Sequence, residues 1–156
     1  MSVPFVLQSP IGMLSLFCNG SAITKISLSE TEHFPGYTEQ VPDCIKDAAA
    51  QLTDYFFGRL QTFRFPMAPG GTPFQQQVWN ALCKIPYGQT RSYGEIARSI
   101  GKPGAARAVG MANHCNPILI AIPCHRVIGT DGSLTGYGAG LKNKEFLLTL
   151  EGSFPR

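Results

Sequence analysis

Three side chains with chemistry stand in a row at Cys124, His125 and Arg126, behind Pro123 and an apolar run at 118–122. A thiolate is a nucleophile, a neutral imidazole accepts a proton, and a guanidinium only donates. Pro123 removes a backbone donor and stiffens the approach. Such a group is a thiol held beside acid–base equipment. A small buried cysteine in a core is the plainer alternative, and the polar neighbours weigh against it. Adjacent residues on a strand face opposite sides, so Cys124 and His125 pair only through a sharp turn or a bridging water. Glu145 borders an apolar face in the last helical stretch, where a carboxylate is more often solvated at the edge of the stripe. Buried there, it would need a partner, and His125 is the candidate.

The elements that must position these groups follow from local signals. Residues 118–122 read as a strand buried on both faces. Thr72-Pro73-Phe74-Gln75 opens a helix with a capping box and proline in its first turn. Ser92-Tyr93-Gly94-Glu95 is a second capping box, and Gly101 a helix stop. Lys102-Pro103 restarts a helix through Asn113. Two short helices about a glycine turn give a helix-turn-helix. The second consists mostly of small residues, with Arg107 as its long cation. That is too few polar side chains to read base edges, which favours contact without sequence choice. Upstream, strands near 5–8, 13–17 and 22–28 form a meander with turns at Pro10-Ile11-Gly12 and Asn19-Gly20. A loop at 29–41 follows, then a helix capped by Asp43 and stopped by Gly58. The fold class is α+β: an N-terminal antiparallel sheet with a helix over 1–71, and a mostly helical, winged helix-turn-helix-like domain over 72–156 that carries the cysteine.

The stretch Pro123-Cys124-His125-Arg126-Val127, with a helix-turn-helix just upstream, resembles the active-site signature of O6-methylguanine-DNA methyltransferases. The likeness covers about Thr72 to Gly152. It implies direct, single-turnover transfer of an alkyl group from O6-alkylguanine, and from O4-alkylthymine, in double-stranded DNA to Cys124. It further implies a relay of Cys124, a water, His125 and Glu145, with Asn116 bracing the turn. By the same resemblance Arg107 fills the stack left by a flipped base, on a helix with Ala105, Ala106 and Gly110 at the DNA. Tyr93 rotates the phosphate and contacts the base, and Val127, Tyr137 and Gly138 join Tyr93 in the pocket. It implies no metal and no cofactor.

Composition agrees with a nucleic-acid partner. Of 156 residues, 44% are hydrophobic and 15% charged, which excludes a disordered chain. Residues 1–71 carry four Lys/Arg against six Asp/Glu; residues 72–156 carry nine against four, a balance of +5. A basic half suits a polyanion. Five cysteines with no CxxC argue against a disulfide scaffold and point to a reducing compartment. Cys18, His33 and Cys44 lack zinc spacing. No signal peptide and no membrane segment are visible, so a cytoplasmic protein is expected, and a monomer is the expected state on DNA. Three other functions compete: a damage-binding relative without the cysteine, a helix-turn-helix regulator, and a cysteine hydrolase. Cys124 argues against the first and the poor base-reading helix against the second. The lack of a separate His/Asn pair argues against the third.

Overall fold

The computed structural model describes residues 5–29 and 41–154. The chain divides into two compact units, at residues 1–70 and 71–156.

In the first unit, β1 (Phe5–Ser9), β2 (Gly12–Cys18) and β3 (Ile23–Leu28) form an antiparallel sheet in the order β1-β2-β3. Gly12, at φ 117°, allows the tight turn after β1. The Asn19 side chain accepts from the amides of Ser21 and Ala22 and closes the next turn. Helix α1 (Asp43–Phe56) buries Ile45, Ala48, Leu52 and Tyr55, a stripe at helical spacing, and contacts all three strands. Burial of each large aliphatic side chain there stabilises the unit by roughly 1.5–3 kcal/mol. The cap differs from the expected one: Pro42 occupies the cap position, and Asp43 is the first helical residue. Gly58 follows the helix at φ 75°, as its stop signal requires. The expected loop at 29–41, His33 included, falls on positions outside the described residues, Ser29 and Val41 excepted.

In the second unit, α2 (Pro73–Cys83) and α3 (Tyr93–Ser99) begin with the two capping boxes read from the sequence. Loss of either capping side chain costs about 1 kcal/mol. Helix α4 (Ala106–His114) starts later than the sequence suggests, since residues 101–105 are turn and Ala105 takes the cap position. Val109, Ala112 and Asn113 face inward, and the Trp79 indole donates to the Ala112 carbonyl at 2.9 Å. Helices α2, α3 and α4 pack on one another. The two-residue strands β4 (Arg91–Ser92) and β5 (Val127–Ile128) pair in parallel. This pairing ties the start of α3 to the end of the cysteine segment. Helix α5 (Leu141–Leu150) closes the unit.

The stretch 118–122 is buried but is not a strand. Ile120 has φ 73°, and the Ala121 amide bonds back to the Leu119 carbonyl at 2.8 Å, a γ-turn of the strained hand. Pro123 then sits at φ −80°, ψ 65°, with the Cys124 amide on the Ile122 carbonyl at 2.7 Å, the inverse γ-turn. Apolar content set the burial correctly. The backbone satisfies its hydrogen bonds within successive turns in place of a ladder.

Candidate active site

Cys124, His125 and Arg126 form one 3-10 turn, with all three side chains buried. At three residues per turn, successive side chains point about 120° apart. This turn aims the imidazole away from the thiol, so of the two expected routes the bridging water is the one it suits.

Two asparagines hold this turn. The Asn116 amide donates to the Ile122 carbonyl at 2.8 Å, while its oxygen accepts from the Ile118 amide at 3.0 Å. Asn113, which the sequence reading passed over, donates to the Cys124 carbonyl at 3.3 Å. Burial pushes the Cys124 thiol up to about 11; hydrogen bonds from Asn116 and Tyr137 and the charge of Lys144 pull the other way. At pH 7 a thiol raised in this way is almost wholly protonated, so a local base is needed.

The carboxylate beside His125 is Glu151, not Glu145. His125 Nε2 lies 2.8 Å from Glu151 Oε2, and both side chains are fully buried. Glu145 is exposed. The reason is helical phase: Lys144, Leu147, Leu148 and Glu151 recur at three, four and seven residues and form the inward face, which Glu145 misses by one position. That spacing was present in the sequence. Arg126 also grips Glu151, with Nε on Oε1 at 2.7 Å and a terminal nitrogen on Oε2 at 3.0 Å; its other terminal nitrogen donates to the Ile85 carbonyl. Burial pushes the Glu151 carboxyl up, but the hydrogen bonds from His125 and Arg126 and the Arg126 charge beside it hold the group down at about 2. His125 is lowered, chiefly by burial, against the pull of Glu151. The pair is thus an ionised Glu151 and a neutral His125. A carboxylate accepts, so Nε2 carries the imidazole proton and Nδ1 is left as a lone pair. That Nδ1 is buried and has no hydrogen-bond partner among the described residues.

Lys144 was not foreseen as a site residue. It is fully buried, and its Nζ donates to the Val127 carbonyl at 2.6 Å and the Thr135 carbonyl at 2.7 Å. Burial lowers it to about 8, and Cys124 acts in the opposite direction. Tyr93 reaches the same loop: its hydroxyl donates to the Thr135 carbonyl at 3.3 Å and accepts from the Thr135 hydroxyl at 3.2 Å. The Tyr93 ring lies over Gly110, where a Cβ would come 3.7 Å from it. Val127 and Tyr137 are buried, Gly138 is exposed, and Arg107 is exposed on α4, with Ala105 and Ala106 at its start. A separate cavity of about 460 Å³ between α2 and α3, lined in part by Gln77, Lys84 and Glu95, includes none of the thiol's neighbours.

Comparison with known proteins agrees with this geometry. Residues 73–153 match the model of the 6-O-methylguanine DNA methyltransferase DNA binding domain, and residues 5–69 that family's ribonuclease-like domain. The chain belongs to the O6-methylguanine-DNA methyltransferase family. The methylated-DNA–protein-cysteine methyltransferase of Mycobacterium tuberculosis is 53% identical over 94% of this chain and 90% of its own length. That of Methanosarcina barkeri is 51% identical over 94% of each chain. The crystal structure of the Mycobacterium tuberculosis O6-methylguanine methyltransferase superposes with a TM-score of 0.85 at 51% identity, over 100% of this chain and 96% of that one. A structure of Mycobacterium tuberculosis OGT in complex with DNA matches with the same TM-score at 52% identity, over 95% and 91%. Among the described residues, no cluster of three or more His, Cys, Asp or Glu could hold a metal ion. No helix there is long and apolar enough to cross a membrane.

Proposed function

We propose that this methyltransferase repairs DNA by moving the alkyl group of O6-alkylguanine, and of O4-alkylthymine, onto its own Cys124, once per molecule. The observation that carries the reading is the neutral His125, next in sequence to Cys124, whose Nε2–H is fixed on ionised Glu151, which leaves the buried Nδ1 as a lone pair open to a water. A water bridges thiol and Nδ1: the imidazole takes the water's proton, and the water takes that of Cys124. Glu151 and Arg126 keep the tautomer, and the nearby Lys144 charge favours the thiolate. Cys124 then displaces the alkyl carbon. The S–C bond forms as the C–O bond breaks; its electron pair stays on the guanine oxygen, the base takes a proton from water to become guanine, and the proton held on His125 returns to water. A thioether has no good leaving group, so the protein is spent. The step balances without a metal or cofactor.

The lesion lies inside the duplex, so the nucleotide must be extruded. Arg107 on α4 suits the role of filling the stack, and the Tyr93–Thr135 contact sets one wall of the pocket with Val127, Tyr137 and Gly138. Residues 1–71 serve as a supporting domain and residues 72–156 as the DNA-binding one, and one cytoplasmic chain acts on one duplex. The basic balance of the second half and the match to the DNA binding domain support this assignment. The test is Cys124→Ala. That variant should bind methylated duplex with unchanged affinity and remove no methyl group. Methyl loss from the DNA would overturn the reading.

A further inference from the structure

Helix α4 presents to solvent one stripe at intervals of four and three residues: Arg107, Met111 and His114. The opposite face, Val109, Ala112 and Asn113, is buried against the rest of the unit. Met111 is 64% exposed. Among the described residues of this unit the other exposed large hydrophobics, Leu141 and Phe146, lie on α5. A methionine held in water adds nothing to the core. Its neighbours along the helix are Ala108, which is exposed, and Gly110, so nothing on α4 shields it. On a helix of short side chains, Arg107 and Met111 reach furthest, one turn apart. They also differ in kind: one is a cation that can meet phosphate or stack, the other a flexible apolar group.

We infer that Met111 is a second DNA-contacting side chain of α4, an apolar wedge seated against bases or sugars of the duplex one turn beyond Arg107. The inference rests on the reading of α4 as the DNA-facing helix. Apolar side chains placed between base steps help open and bend duplexes, and methionine is among those used. The occupant is set by charge: Met111 sits beside an exposed arginine in a half of the chain with a balance of +5, a surface suited to a polyanion.

The test uses the full-length protein with an undamaged duplex at several salt concentrations, and with a free O6-alkylguanine base. Met111→Ala should weaken duplex binding about ten-fold without altering the salt slope, because no phosphate contact is lost. Arg107→Ala should lower that slope by about one. Met111→Leu should restore affinity, and Met111→Ala should react with the free base at the parent rate. If Met111→Ala alone binds duplex like the parent, the inference fails and the reading of α4 stands. If Arg107→Ala and Met111→Ala both bind like the parent, the reading of α4 fails with it. An equal loss on the free base would place Met111 in the fold or pocket and overturn the inference. So would a self-association lost in Met111→Ala with DNA affinity intact, which would assign the stripe to a second copy.

Discussion

Glu151 links the acid–base pair to the rest of the unit, since His125 and Arg126 both bond to it. Glu151→Gln keeps the shape but removes the charge that favours a protonating imidazole. Transfer should slow by a factor of roughly 10² or more, within the usual range for acid–base groups, with duplex affinity retained. Glu145→Gln should behave as the parent in the same assay. The pH dependence follows from the signs. His125 is depressed, so it remains a base below the usual histidine range, and transfer should persist as pH falls through 6.5. Glu151 is depressed to about 2, so its stabilisation is full above the ordinary carboxylate value. It is lost as pH falls from there toward 2, which acid unfolding monitored by fluorescence would show. Lys144, depressed to about 8, is a different case: its buried charge costs stability at neutral pH and bonds to carbonyls alone among the contacts found. Its benefit lies with the thiolate. Lys144→Met should raise the thiol's ionisation range, read from the pH profile of Cys124 alkylation, and slow transfer at pH 7; an unchanged profile would remove Lys144 from the account.

At the scale of elements, the structure accounts for which parts were legible in the sequence. Capping boxes are local, so the starts of α2 and α3 were readable to the residue. The strand expected at 118–122 was not, because an apolar run reports burial and not backbone path. The path is set by turns around Ile120 and by asparagines held elsewhere in the chain. Glu145 and Glu151 lie in the same helical stretch, and only their phase against Lys144 and Leu148 separates them. The Lys144 contact to Thr135 joins a helix to an irregular loop, which no periodicity reveals. Helix α4 carries the next prediction. Extrusion of a nucleotide costs a few kcal/mol, and in the role proposed for it Arg107 would offset part of that by stacking. Arg107→Ala should therefore slow repair of duplex DNA while leaving reaction with a free alkylguanine base close to the parent rate. An equal loss on both substrates would mean that Arg107 shapes the pocket instead.

For the whole molecule, the parts form one chemical device. A γ-turn pair delivers the cysteine, a 3-10 turn separates it from its base, and α5 brings both Lys144 and Glu151 to the site on one face. The parallel β4–β5 pairing carries the position of the thiol to Tyr93 and α3, and so to the helix proposed to meet DNA. Nothing in this arrangement restores the thiol once it is alkylated. The central claim is therefore stoichiometric, and intact-protein and peptide mass measurement after mixing with excess methylated duplex tests it most directly. The account predicts one methyl group per protein, located on Cys124, with no further loss of methyl from the DNA once every molecule carries it. Repeated turnover, or a methyl group on Cys18, Cys44, Cys83 or Cys115 with Cys124 unmodified, would contradict it.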